Sequence, residues 1–346
     1  MRGVRSSWFL VAMLLSSLAS AYADSSEPPR AMGSSVSENP GVREGDRPSP
    51  SSKEDRREGT LGSVPRARGE PPRAMWVWDA QAIVQPSARE TLLDFCQSHR
   101  IGTLYLSAYN LKSPMDRAYR EFNRQAHRAK LQVHALAGDP RWGKTPYHHI
   151  PLEWVETVRQ FNAGAGGLER FDGIHTDVEV YLLSKSWNEH PAQLLGGYLD
   201  LNSKIADLLR ADENRLRFSV DIPFWFDDDT SYRILWHGQI KSPTAHVLDT
   251  VDAVTVMAYR NFAEGPDGTV QLVSLELEYA DQVGKKVTIG QETQVDLFPA
   301  YVTFGGTSCA KLHEELEKIA KAVGHRPSFG GFAIHHYESY RKLCSN

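Results

Sequence analysis

Asp172-Gly173-Ile174-His175-Thr176-Asp177-Val178-Glu179-Val180-Tyr181 carries the pattern from which the fold of this chain can be read. Side chains alternate along a strand, so Ile174, Thr176 and Val178 share one face while His175, Asp177 and Glu179 share the other. With this strand read as 173–180, similar apolar segments flank it at fairly even intervals. They cover 74–78, 103–107 and 132–137 on one side, and 217–222, 253–258, 286–290 and 331–335 on the other. Several are β-branched, as strands buried on both faces of a parallel sheet should be. Amphipathic helical segments lie between them at 87–99, 152–161, 194–209 and 308–323. The last carries Leu312, Leu316 and Ile319 at helical spacing, with Thr307-Ser308 as a cap. Strand and helix alternating in this way predict an α/β fold, a (β/α)8 barrel forming one domain over 73–346.

The region before the barrel reads differently. Arg2 and Arg5 precede the apolar run from Trp8 to Leu15, and Ala21-Tyr22-Ala23 offers small residues for cleavage. This is the pattern of a signal peptide over 1–23. The run is too short for a bilayer core of about 30 Å, although an uncleaved anchor is the alternative. Residues 24–72 are rich in Ser, Pro, Gly, Glu and Arg and poor in large apolar side chains. Such a segment cannot bury enough surface to offset its ordering entropy, which predicts a disordered linker. A secreted protein with no membrane span after cleavage is the expectation, extracellular or periplasmic. The formal net charge of −4 argues against nucleic acid as a partner.

Active sites of barrels lie at the C-terminal ends of the strands. There the quoted strand presents His175, Asp177 and Glu179 on one face, costly to bury without a use. A structural ion-pair network inside the barrel is the competing account. Strand five ends in Asp221-Ile222-Pro223-Phe224-Trp225, putting Asp221 and Trp225 at the rim, and strand one brings Trp76 and Trp78. Strand seven leads to Glu292 and strand eight to His335. Aromatic faces stack on the C–H faces of sugar rings and carboxylates accept hydroxyl hydrogen bonds, so this rim suits a carbohydrate ligand. Glu292 alone serves equally as a loop cap or a partner of Arg260. No H-E-x-x-H occurs, and Trp76-Val77-Trp78 stands where a His-x-His pair would be needed, so no catalytic metal is expected. Gly164-Ala165-Gly166-Gly167 precedes a strand rather than joining one to a helix, so no nucleotide cofactor is expected either.

The segment Asp172–Glu179 resembles the D-G-x-D-x-D-x-E signature of glycosyl hydrolase family 18, the chitinase-like barrels. The resemblance implies that Glu179 is a general acid assisted by Asp177. Met257-Ala258-Tyr259 is similar to the family's M-x-Y segment, which implies that Tyr259 contacts a substrate N-acetyl group. His175 stands where the family has Asp, and Arg260 where Asp or Asn follows the Tyr. These departures are the evidence for the alternative, a non-catalytic chitinase-like barrel that binds sugar. Asp177, Glu179 and Glu292 together argue against it, and a secreted glycoside hydrolase acting on an oligo- or polysaccharide is the expectation. The rim also resembles the large retaining clan of barrel glycosidases, which implies Glu179 as acid/base and Glu292 as nucleophile. On either reading Asp177 is expected to raise the pKa of Glu179 by like-charge repulsion, and a neutral His175 to hydrogen-bond Asp177. The acid should open into the largest cleft.

There are three cysteines. Cys309 and Cys344 belong to neighbouring units and are expected to approach each other. Cys96, on an apolar helix face, reads as a buried free thiol, with Cys96–Cys344 as the second possibility.

Overall fold

The computed structural model describes residues 70–111, 114–211, 215–228 and 232–345. The expected signal peptide and nearly all of the linker lie outside them. Eight parallel strands close into a barrel: β1 (Arg73–Val77), β2 (Thr103–Ser107), β3 (Gln132–Ala137), β4 (Gly173–Thr176), β5 (Arg217–Pro223), β6 (Ala253–Met257), β7 (Lys286–Glu292) and β8 (Phe329–His335). Each pairs with its sequence neighbours, and β8 closes on β1 through Arg73–Phe332, Ala74–Ala333 and Met75–Ile334. One main helix follows each strand: α1 (Pro86–Ser98), α2 (Asp116–Arg128), α3 (His149–Ala163), α4 (Pro191–Arg210), α5 (Pro243–Thr250), α6 (Ser274–Val283), α7 (Cys309–Val323) and α8 (Tyr337–Cys344). Among the described residues, no helix is long and apolar enough to cross a membrane.

The sequence pattern explains these elements closely. Ser308 caps α7, its hydroxyl accepting from the Lys311 amide at 3.1 Å. Outward-facing strand residues such as Met75, Leu106, Ile174, Val220 and Val254 are fully buried against the helices. A smaller cluster of Ala74, Trp76, Tyr105, Leu136 and Ala333 packs inside the barrel. An acidic residue just before a strand ties the wall together: Asp172 accepts from the Val133 amide at 2.7 Å and Asp252 from the Phe218 amide at 2.9 Å. Asp172 is therefore engaged at the start of β4, remote from its rim.

Two differences from the sequence reading matter. The strand expected over 173–180 stops at Thr176. The Asp177 amide still bonds the Ala137 carbonyl, but the chain then coils into a one-turn helix at Val180–Leu182. Val178 and Val180 are buried in that turn instead of in the ladder. A two-stranded hairpin, Ile234–Trp236 with Gln239–Lys241, also lies outside the barrel between β5 and α5. In β8 the register breaks between Phe329 and Phe332, where Gly331 takes φ +97° and a side chain would meet the Pro72 carbonyl oxygen at 2.1 Å.

Cys309 and Cys344 form a disulfide with Cα atoms 4.9 Å apart, and Cys96 is a free, buried cysteine. Burial pushes the Cys96 thiol well up, so it is inert.

Candidate active site at the strand ends

The polar side chains that the sequence marked gather at the C-terminal rim, and the end of β4 organises them. Gly138, just past β3, leaves room for the turn: a side chain there would meet the Asp177 carbonyl oxygen at 1.7 Å. Asp177 and Glu179 follow this approach beyond the end of β4, and the charges of Glu179 and Asp221 act on Asp177. Asp177 Oδ1 is buried without a hydrogen-bond partner among the described residues.

Glu179 accepts a hydrogen bond from the Tyr181 hydroxyl. Tyr181 is itself held by an aromatic wall, with the Trp225 ring centroid at 5.0 Å and Trp187 at 6.3 Å. Burial pushes the Glu179 carboxyl up to about 7. The Tyr181 bond opposes this, the charge of Asp221 adds to it, and His335 draws it back. Burial also lifts Asp177 well above the usual carboxylate range, with Glu179 and Asp221 adding to the effect. The like-charge push expected from Asp177 on Glu179 therefore acts mainly in the opposite direction. Desolvation dominates at both groups.

Asp221 and His175 form a second layer beneath. Trp76 Nε1 donates to Asp221 Oδ2 at 3.0 Å, and His175 Nδ1 lies 2.7 Å from Ser219 Oγ. His175 Nε2 comes within 2.9 Å of Asp221 Oδ1, yet neither atom has a well-aligned hydrogen bond, so the contact is close without being directional. The imidazole stacks flat on Tyr105, centroids 3.7 Å apart at 6°. His175 therefore does not hold Asp177, as the sequence led us to expect. Its ring lies flat between β2 and β5, facing Asp221 instead.

Across the mouth, Glu292 is fully engaged. Oε1 accepts from the amides of Thr293 and Gln294 at 2.8 and 2.7 Å, and Oε2 lies 2.8 Å from His335 Nδ1. Trp78 Nε1 donates to His335 Nε2 at 2.9 Å. That pattern assigns the ring proton to Nδ1, which donates to Glu292. Burial disfavours the His335 cation, but Glu292, Asp221 and Glu179 outweigh it and the net direction is upward. A second proton on Nε2 would require Trp78 to surrender its bond. Arg260 does not reach Glu292; it forks onto Asp267 at 3.0 and 3.1 Å and donates to the Tyr259 carbonyl. Tyr259 is buried 6.1 Å from the His335 ring, and burial followed by the charges of Glu292, Asp221, Asp177 and Glu179 raises its hydroxyl well above the usual range.

Glu179, Asp177, Asp221, Tyr259, His335 and Glu292 thus act on one another electrostatically, with Trp78 bonded to His335, His175 against Asp221 and Trp225 against Tyr181. Tyr181, the last residue of the quoted segment and given no role there, proves to be the partner of Glu179. Gly138 carried no signal beyond a glycine at a strand end. A cavity of about 750 Å³ opens at the opposite, N-terminal end of the barrel, lined by Arg73, Arg100, Lys130, Arg217 and Lys286 among others. Glu179 is not among the residues that line this cavity at the other end of the barrel.

No protein-family model and no curated protein matches the chain. Solved structures do. The structure is similar to a GH18 chitinase from Pseudoalteromonas aurantia (13% identity, 78% of this chain, 95% of that one, TM-score 0.44). It is also similar to the spore cortex-lytic enzyme SleL of Bacillus cereus (10% identity, 81% of this chain, 75% of that one, TM-score 0.48). A calcium-binding mutant of Bacteroides uniformis beta-glucuronidase 2 aligns at TM-score 0.53 and 9% identity, over 79% of this chain and 32% of that one. At these identities the likeness is one of fold: a barrel of the kind found in glycoside hydrolases.

Proposed function

We propose that the protein is a secreted glycoside hydrolase acting on an oligo- or polysaccharide, with Glu179 as the general acid. The observation that carries this reading is the state of Glu179: a carboxyl beyond β4, at the mouth of the barrel, pushed up to about 7 beside Asp177 and Asp221. A general acid works best with a pKa near the working pH, so that it holds its proton yet releases it to the leaving oxygen. Asp177, also held well above the usual carboxylate range by burial, favours its neutral form, and Glu179 is the group proposed to exchange a proton. The Tyr181 hydroxyl fixes the orientation of the acid and can stay bonded to the glutamate oxygen that does not carry the transferred proton.

In this reading Glu292 is a positioning residue. Its two oxygens already take three hydrogen bonds, and its effect is to aim His335 and, through it, Trp78 at the rim. Trp78, Trp225 and Tyr259 supply aromatic surface for sugar rings, and Asp221 the second carboxylate under the reacting centre. Export fits the Cys309–Cys344 disulfide, since such bonds persist in oxidising compartments.

The departures at His175 and Arg260 keep a binding-only barrel in view. Turnover on a panel of β-linked oligosaccharides, N-acetylated and not, separates the two. Release of reducing ends from any member, at a rate that scales with enzyme, supports hydrolysis. Saturable binding to the panel without cleavage would assign the protein to the non-catalytic reading.

A further inference from the structure

The barrel closes where its last unit meets its first, and side chains of metal-ligand type converge at that seam, away from the strand-end site. His99 terminates α1, Cys309 and His313 lie one turn apart on α7, and Cys344 ends α8. One ring nitrogen from each histidine and both sulfurs lie within 4.8 Å of one another. We propose that, when the Cys309–Cys344 bond is reduced, these four side chains form a tetrahedral site for a thiophilic divalent cation, Zn²⁺ above all.

Two thiolates and two imidazoles are a common tetrahedral zinc set, with Zn–S about 2.3 Å and Zn–N about 2.0–2.1 Å. Ligand atoms around such an ion sit roughly 3.3–3.8 Å apart on those bond lengths. The four atoms here lie within 4.8 Å of one another, close enough for side-chain rotation to reach those spacings once the disulfide opens. Opening the disulfide lets the two sulfurs separate by side-chain rotation, because Cys309 and His313 share one face of α7. The imidazoles are held in place beforehand: the Tyr340 hydroxyl lies 3.2 Å from His313 Nε2 and 3.4 Å from His99 Nδ1, and Phe95 packs on His99 at 4.2 Å. Such supporting contacts are what metal-ligating histidines require. Arg73 lies close enough to act on both rings, yet two thiolates neutralise a divalent ion and remove the repulsion.

The chemistry balances with one reductant of the dithiol class. The dithiol passes two electrons to the S–S bond and closes to its own disulfide, leaving Cys309 and Cys344 as thiols. The cation then displaces one proton from each. The seam between α1, α7 and α8 is in this way stapled by a covalent bond in an oxidising compartment and by an ion before oxidation.

The test uses the full-length protein, reduced with a thiol-free phosphine, freed of it anaerobically and titrated with Co²⁺. One equivalent should bind with an intense sulfur-to-cobalt charge-transfer band and the d–d bands of a tetrahedral site, and Zn²⁺ should bleach both. Oxidised protein should give neither. His313→Ala should weaken Co²⁺ binding by at least about tenfold, given that even supporting residues cost 10–100-fold. It should still form the disulfide by thiol counting, which shows that the variant folds. Cys309→Ser should abolish the charge-transfer band. A reduced protein with no band overturns the proposal, as does a band of unchanged strength in His313→Ala or Cys309→Ser.

Discussion

The ends of β4 and β7 present the same residue type to the same rim, and the two glutamates are treated in opposite ways. Glu292 extends a regular strand, so the turn that follows aims two amides at one oxygen while β8 supplies His335 for the other. Glu179 follows a strand that has already broken, and it accepts from the Tyr181 hydroxyl in a cluster where one Asp177 oxygen has no partner among the described residues. Satisfied donors and acceptors stabilise a fold, whereas buried carboxyls short of partners are displaced in pKa and become available for proton transfer. On the proposed reading, the difference teaches that backbone geometry, set by where the strand stops, separates a carboxylate tied into the fold from one poised for proton transfer.

The largest effect separating the two regions should be on stability. Glu292→Ala leaves two buried amides and His335 without their acceptor, and breaking such a buried arrangement costs about 3–5 kcal/mol. The urea midpoint should fall accordingly at unchanged m-value. Glu179→Gln, which keeps the shape, should move that midpoint little at pH 5. An equal loss in both variants would erase the distinction between the sites.

The pH dependence of stability sharpens the same contrast. The native pKa of Glu179, about 7, lies above the ordinary value near 4.5, so the native state holds this proton more tightly than the unfolded chain does. The contribution is fully present below about 4.5 and is lost as pH rises through about 7. One proton gives a slope of at most about 1.4 kcal/mol per pH unit. Glu179→Gln should flatten that slope and make the variant more stable than the parent above pH 7, seen as crossing Tm-versus-pH curves. Parallel curves would show that Glu179 does not titrate there.

The smallest effect concerns the strand-eight side. Trp78→Phe removes a single donor to His335, worth about 1 kcal/mol. It also frees Nε2 to take a proton, so the histidine pKa measured by NMR should rise further. An unchanged titration would mean that Trp78 does not hold the ring.

Much of this arrangement was legible in the sequence. Segments 103–107 and 132–137 coincide with β2 and β3, because strands buried on both faces leave continuous apolar runs. The alternation of His175, Asp177 and Glu179 places all three on the interior side even though the ladder ends at Thr176. The early break was not legible, since Val178 and Val180 are β-branched and read as strand. Gly138 and Asp177 lie in close contact there, and such a long-range approach is not contained in local propensity. The partners of Glu292 were equally hidden: two are backbone amides, and His335 comes from a different strand. Cys309 and Cys344 could be paired because the topology makes their units neighbours, but the two histidines beside them lie on α1 and α7 and gave no spacing signal.

The central claim is that Glu179 delivers the proton to the leaving oxygen. It is tested most directly by single-turnover hydrolysis of a substrate found on the oligosaccharide panel, comparing the parent with Glu179→Gln. Loss of general acid catalysis predicts a rate lower by about 10²–10⁴-fold with sugar affinity nearly unchanged. The loss should shrink for a substrate whose leaving group needs no proton, such as a nitrophenolate. A Glu179→Gln variant that cleaves the natural linkage at the parental rate would contradict the account.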